Sequence, residues 1–351
     1  MELKEILKKA YDLGGSDIFI VPGAHVTCKV KGDMVPLTDD IVKPAGTEAL
    51  VLEAYEMAGR DINKLHEEGD DDYSFSMAGL SRFRCNAYVQ RGTVAATLRM
   101  VAFGLPDPKQ LGIPDLVMEL TTKNLNGMIL VTGPAGSGKS TTLACMVDQI
   151  NQTRHGHIVT IEDPIEYIHH HKQSLVSQRD VPNDVPTFAR ALRAALRQAP
   201  DVILLGEMRD LESIRIAITA AETGHLLLSS LHTTGAAKTV DRILDTFPAE
   251  QQAQVRMQLS MVLRAVVSQR LVPKKDGGQV AVFEVMTVNP AVQNLIRDGR
   301  THQIDNAIFG GTGQGMISMD NELQRLFRAG VITRDVALTY AVSPETLSKR
   351  L

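Results

Sequence analysis

The chain has 351 residues, 44% of them hydrophobic, enough for about two domains with cores of their own. A net charge of −4 and an isoelectric point near 6.2 set it apart from general nucleic-acid binders, which carry a basic excess, so no nucleic-acid partner is expected. Three widely spaced cysteines, Cys28, Cys85 and Cys145, form neither a metal pattern nor a disulfide framework, which points to a reducing cytoplasm.

Met1-Glu2-Leu3-Lys4-Glu5 has no apolar signal core. No run approaches the ~20 apolar residues of a membrane span, so work at a membrane would be peripheral. Leu3 to Leu13 reads as an amphipathic helix with Leu3, Ile6, Leu7 and Ala10 on one face, ended by Gly14-Gly15. Asp17–Val21 and Val26–Val30 read as strands, Gly32-Asp33 as a turn, and Thr47–Ala58 as a second helix. The acidic run Glu67–Asp72 reads as a solvated loop. Ser81–Val89 and Thr93–Met100 form a hairpin around Gln90-Arg91-Gly92. Residues 1–100 thus make a small α+β domain, with 101–108, rich in turn formers, as the linker.

From 109 onward strands and helices alternate. Strands are expected near 128–132, 157–161, 201–205 and 225–231, with helices between them, which implies a mainly parallel sheet covered on both faces. Ligands of such a sheet bind beyond the carboxyl ends of its strands. Gln279–Val288 is a further strand, and Pro290–Gly299 and Asn321–Leu351 are helical. Gly310–Gly315 lacks the Lys and the strand of a phosphate loop and reads as a mobile linker.

The chemistry centres on Gly133, Pro134, Ala135, Gly136, Ser137, Gly138, Lys139 and Ser140, followed by Thr141, a fit to G-x-x-x-x-G-K-[ST]. The apolar run Met128–Thr132 precedes it, and Thr141–Ile150 follows as a helix whose amino end favours an anion. The glycines let backbone N–H groups close around phosphates. Lys139 supplies a point charge toward the β- and γ-phosphates, and the Ser140 hydroxyl is the expected Mg²⁺ ligand. Pro200–Glu207 is a second signal, an apolar strand running through Gly206 into a carboxylate. Glu207 there could polarise water directly or through the Mg²⁺ shell, or could serve as a salt-bridged cap beside Arg209. Ile158–Glu166 is a third, a strand ending in Glu162 and Asp163. Adjacent strand residues face opposite ways, so at most one of the two points at the metal, and Glu162 is favoured.

His225 and His232 flank the strand 226–230 and could sense a γ-phosphate, although a lone His is more often structural. His169-His170-His171 project in different directions and make a poor metal site. Arg82, Arg84, Arg91 and Arg99 lie in or beside the first-domain hairpin, solvated unless one reaches a neighbour's triphosphate. Arg190, Arg193 and Arg197 share a helix face opposite Phe188, Leu192 and Leu196, either a solvated face or a subunit contact.

Four blocks, GPAGSGKSTTLA (133–144), VTIEDPIEYIHHH (159–171), PDVILLGEMRDLESI (200–214) and TGHLLLSSLHTTGA (223–236), together resemble the type II/IV secretion ATPase superfamily. Within it the whole chain is similar to the pilus-retraction (twitching-motility) branch. The resemblance implies a PAS-like N-terminal domain joined to a RecA-like P-loop ATPase domain over 109–351, with a helical segment from about 290. It implies a homohexameric ring hydrolysing Mg-ATP at subunit junctions. Glu207, Glu162, Asp163, His225 and His232 become site residues, and Arg82, Arg84 and Arg99 become arginines given across a junction. The implied partners are the inner-membrane pilus platform protein and an assembly or paralogous retraction ATPase, at the cytoplasmic face of the membrane. Extension-type relatives carry a four-cysteine zinc motif and a longer N-terminal region, both missing here. The retraction signature A-I-R-N-L-I-R-E is altered to Ala291-Val292-Gln293-Asn294-Leu295-Ile296-Arg297-Asp298, which leaves an accessory or assembly ATPase as the alternative and a RecA-like DNA translocase as a remote one.

Overall fold

The computed structural model describes residues 2–351, which divide into two compact units. One runs to Gly104 and includes Glu166–Ile168; the other comprises Leu105–Ile165 and His169–Leu351.

The first unit contains α1 (Leu3–Asp12), β1 (Asp17–Ile20), β2 (Thr27–Val30), β3 (Asp33–Pro36), α2 (Pro44–Ala58), α3 (Asn63–Glu68), β4 (Asp70–Met77), β5 (Ser81–Gln90), β6 (Thr93–Met100) and β7 (Ala102–Phe103). Its sheet has the order β3-β2-β1-β6-β5-β4, and every pair is antiparallel. Leu3, Ile6, Leu7 and Ala10 bury the apolar stripe of α1, as their spacing predicts.

Two expectations change here. The acidic run is no solvated loop: Asp70–Asp72 opens β4, and Asp71 is 1% exposed. It accepts from Lys64 Nζ at 2.8 Å, from Arg60 Nη2 at 3.2 Å and from the Tyr55 hydroxyl at 3.2 Å, which compensates its burial. The expected linker begins as a strand, because β7 finds a parallel partner in Tyr167–Ile168.

The second unit is built from α4 (Asp115–Lys123), β8 (Gly127–Thr132), α5 (Lys139–Thr153), β9 (His157–Glu162), β11 (Leu175–Asp180), α6 (Phe188–Ala195), β12 (Val202–Leu205), α7 (Leu211–Glu222), β13 (Leu226–Leu231), α8 (Ala236–Asp245), α9 (Ala249–Val262), β14 (Leu263–Pro273), β15 (Gln279–Thr287), α10 (Pro290–Arg297), α11 (Ile304–Gly310), α12 (Met319–Arg328), α13 (Arg334–Tyr340) and α14 (Pro344–Ser348), while β10 (Tyr167–Ile168) belongs to the first unit. Seven strands lie in the order β11-β9-β12-β13-β8-β14-β15, parallel except for β15.

Alternation along each buried strand feeds two cores. Met128 and Leu130 of β8 pack with Ile203 and Leu227 against residues of α6 to α10, whereas Ile129 and Val131 pack with Leu204 and Leu228 against α4 and α5. A smaller cluster joins Val272 and Val282, at the far end of the β14–β15 hairpin, to α12–α14. Gly310–Gly315 is mostly helical rather than a free linker: α11 ends at Gly310 and a 3₁₀ turn covers Gly311–Gln314. The long helix expected over 321–351 is three short ones, broken by Gly330 at φ +74° and by Pro344 opening α14.

Candidate functional site

The phosphate loop leaves the carboxyl end of β8, and Gly133 N donates to Leu231 O at 3.2 Å, tying the loop to β13. Gly133 has φ +149°, and a Cβ there would stand 2.1 Å from Gln269 O and 2.7 Å from Ser137 Oγ. Only a residue without a side chain fits against β14 at this point. Lys139, 8% exposed, donates through Nζ to Gly133 O at 3.0 Å and Pro134 O at 2.9 Å. Its charge therefore sits within the loop it closes. Ser137 Oγ is buried with no hydrogen-bond partner among the described residues, an orphan that an anion's second shell would satisfy. Ser140 is exposed at the second residue of α5, where the first-turn N–H groups lack intrahelical acceptors. Gln269 of β14 braces the far side by accepting from Thr142 Oγ1 at 2.7 Å. A cleft of about 450 Å³ opens beside Gly138 and Thr141, lined also by Lys109, Ile113, Leu271 and Lys274.

β13 lies between β12 and β8, so the turn leaving its carboxyl end stands between the phosphate loop and the turn leaving β12. His232 comes directly after β13, and Glu207 comes just after β12. The structure brings them together: His232 Nε2 lies 3.5 Å from Glu207 Oε2, while Arg209 Nη2 holds Oε1 at 2.5 Å. Glu207 is 9% exposed and the His232 side chain 55%. Gly206 lets this turn pass, since a Cβ would come within 3.3 Å of Ile161 O and 3.4 Å of the Glu162 Cα.

Glu162 ends β9 in the adjacent position, with Gly206 N bonded to Ile161 O at 2.8 Å. Its Oε1 accepts from Thr160 Oγ1 at 2.6 Å and from Gln178 Nε2 at 3.2 Å, and Gln178 Oε1 in turn accepts from His169 N at 2.8 Å. Asp163 is exposed and begins the next loop. Both carboxylate-bearing strand ends are thus at the same edge of the sheet as the phosphate loop.

His225 is not brought there. It precedes β13, whose start pairs with Gly127, so it lies at the amino edge of the sheet, six strand residues or about 20 Å from the loop. Its Nδ1 contacts Ala220 O at 3.0 Å. The sequence shows two His flanking one strand, and a parallel strand sends its two ends to opposite edges. Arg82 and Arg84 belong to β5 and Arg99 to β6, on the face opposite Phe83, Cys85 and Leu98; Arg84 pairs with Arg99 in register, and Arg99 Nε holds Asp17 at 2.7 Å. In the His run, burial pushes His169 down to about 4, whereas His171 Nδ1 accepts from Val176 N at 3.0 Å, so the two rings stand in separate local environments.

Gln269, which braces the loop, and Gln178, which holds Glu162, are contributors that motif reasoning passes over. Gln269 has a signal as a polar residue inside the largely apolar run of β14, whereas Gln178, between Ser177 and Arg179, has none.

Residues 2–277 match the model of the family described as "Type II/IV secretion system protein". The chain is 43% identical over 345 residues to the type IV pilus retractation ATPase PilT of Pseudomonas aeruginosa, covering 98% of this chain and 99% of that one. It is 40% identical over 349 residues to the type IV pilus ATPase PilU of the same organism, covering 99% and 90%. A crystal structure of the pilus retraction motor PilT with bound ADP superposes with a TM-score of 0.88 at 45% identity, covering 99% of each chain. With its parallel RecA-like core, its nucleotide-binding loop and these matches along nearly its whole length, the chain belongs to the type II/IV secretion system protein family.

Proposed function

We propose that this chain is the ATP-hydrolysing motor of a type IV pilus, working in retraction. The observation that carries the reading is the Glu207–His232 pair, which hangs from β12 and β13 beside the phosphate loop. The likeness to PilT over the whole chain gives the direction of work.

In this reading the backbone N–H groups of 135–141 and Lys139 hold the phosphates. The base and ribose occupy the cleft beside Gly138. The donors present fit Mg²⁺: the exposed Ser140 hydroxyl as a ligand and the Glu207 carboxylate in its outer shell, where the ion would supply charge stabilisation of the phosphates. Glu207 orients the attacking water and takes its proton, with Arg209 and His232 fixing its two oxygens. Glu162, held by Thr160 and Gln178, faces the same side with Asp163 behind it. Arg82, Arg84 and Arg99 stabilise developing charge across a junction in a homohexamer, and His225, at the opposite edge, serves a subunit contact. The ring works as a peripheral assembly on the pilus platform protein at the cytoplasmic face of the membrane; no helix among the described residues is long and apolar enough to cross one.

Lys139→Ala is expected to abolish nucleotide binding, and Glu207→Gln to bind ATP without turning it over. Wild-type hydrolysis by either purified variant would sink these roles. Deletion in the source organism should leave excess surface pili and no twitching. The accessory reading, favoured by the likeness to PilU and the change at Gln293, expects twitching lost with the pilus number unchanged.

A further inference from the structure

The β14–β15 hairpin meets the site on both of its faces. Gln269 braces the phosphate loop from one face. Its neighbour Ser268 points to the other, directly across from Glu284 in the antiparallel register. These two side chains receive consecutive backbone donors. Ser268 Oγ accepts from Gly235 N at 2.9 Å, and Glu284 Oε1 accepts from Ala236 N at 3.0 Å. Gly235 and Ala236 open α8, three and four residues beyond His232. Ser268 is fully buried and Glu284 is 4% exposed. A carboxylate so deep is unfavourable unless donors or cations face it. Here the donors are Ala236 N and the amino end of α8, with Arg270 of β14 and Lys238 of α8 nearby, while Asp305 of α11 and Asp320 of α12 oppose them. Glu284 takes no part in the chemistry described above.

We propose that Ser268 and Glu284 form a clamp that positions His232 against Glu207. The segment 232–234 is fixed at one end by β13 in the sheet and at the other by this clamp, with Thr233 Oγ1 and Thr239 Oγ1 joined at 2.7 Å between them. With both ends held, His232 has little freedom to leave the Glu207 carboxylate. Glu284 is thus a positioning residue, acting through the loop; the inference rests on the roles given above to His232 and Glu207.

The test is steady-state ATP hydrolysis and binding of a fluorescent ADP analogue by the full chain. Glu284→Ala is expected to lower kcat about tenfold, the worth of one charge-assisted hydrogen bond, with KM for ATP and analogue affinity held within about twofold. Glu284→Gln keeps an acceptor oxygen and should restore most of kcat. Glu284→Ala combined with His232→Ala should be no slower than His232→Ala alone, since both act through one group. Losses that multiply in the double variant, or an equal loss of nucleotide affinity, overturn the clamp. If Glu284→Ala does not fold, Ser268→Ala carries the same expectation at about threefold. Should His232→Ala turn over at the wild-type rate, the Glu207–His232 reading falls and the clamp with it. Should only Glu284→Ala and Ser268→Ala remain at that rate, the clamp alone falls.

Discussion

Three glycines of one loop should respond differently to the same added methyl group. At Gly133 a Cβ would overlap Gln269 O at 2.1 Å, a backbone atom of β14 that cannot swing aside. Its φ of +149° is also one that L residues rarely adopt, at a cost of about 1–3 kcal/mol before any overlap. Relief requires the loop to move away from β14, dragging the N–H groups that would surround the phosphates. At Gly138 the obstacle is Gln269 Nε2 at 2.9 Å, the end of a flexible side chain, with φ +88°. At Gly136 nothing lies within 4 Å, and only φ +73° opposes the change, about 1–2 kcal/mol. Taking about 3 kcal/mol for Gly133→Ala, of which most displaces the loop, nucleotide affinity should fall by about 100-fold. Gly136→Ala should lose no more than about 30-fold, with Gly138→Ala between them. Titration of the purified variants with a fluorescent ADP analogue measures all three. Equal affinities for Gly133→Ala and Gly136→Ala would refute the argument that contact with β14 sets the shape of the loop.

Asp71→Ala removes a fully buried acceptor of Lys64, Arg60 and Tyr55. Because both cations are part-exposed, the cost to the first unit is expected near 2 kcal/mol, read as a lowered Tm with nucleotide affinity unchanged. Burial is the main cause that pushes Glu284 up to about 7 from an ordinary 4.5; Asp305 and Asp320 add to it, and Ala236 N–H and Arg270 oppose it. The folded chain therefore keeps this proton between about 4.5 and 7 while the unfolded chain has released it, so this contribution falls as pH rises through that window and is flat above it. Glu284→Gln escapes the loss, and its thermal stability relative to wild type should be greater at pH 8 than at pH 5 by up to about 3 kcal/mol; a difference independent of pH would refute the burial argument. Gln178→Ala removes a donor from Glu162 and is expected to lower kcat about three- to tenfold with KM for ATP held; a change in KM alone would contradict it.

The alternation of strands and helices, the phosphate loop and the acids after β9 and β12 are legible in the sequence because each is a local pattern of a few residues. The features that escaped depend on contacts distant in the chain. Thr142 and Gln269 are 127 residues apart, and Ala236 and Glu284 are 48 apart. Asp71 sits in an acidic run whose composition says solvent, yet strand alternation turns it inward onto Tyr55 and Lys64. His225 and His232 look equivalent as flanks of one strand, and only the direction of β13 separates them. Gln269 and Glu284 are visible as interruptions of apolar runs, without any indication of the groups they hold.

The hairpin of β14 and β15 reaches beyond the sheet, and its far end, at Val272 and Val282, is where α12–α14 are seated. Within it β14 carries Gln269 and Ser268 back to back, one against the phosphate loop and one against the segment after β13. A movement of the C-terminal helices would therefore be felt first by this hairpin. A displacement of β14 would then be passed to the start of α5 through Gln269 and to the segment after β13 through Ser268 in a single movement.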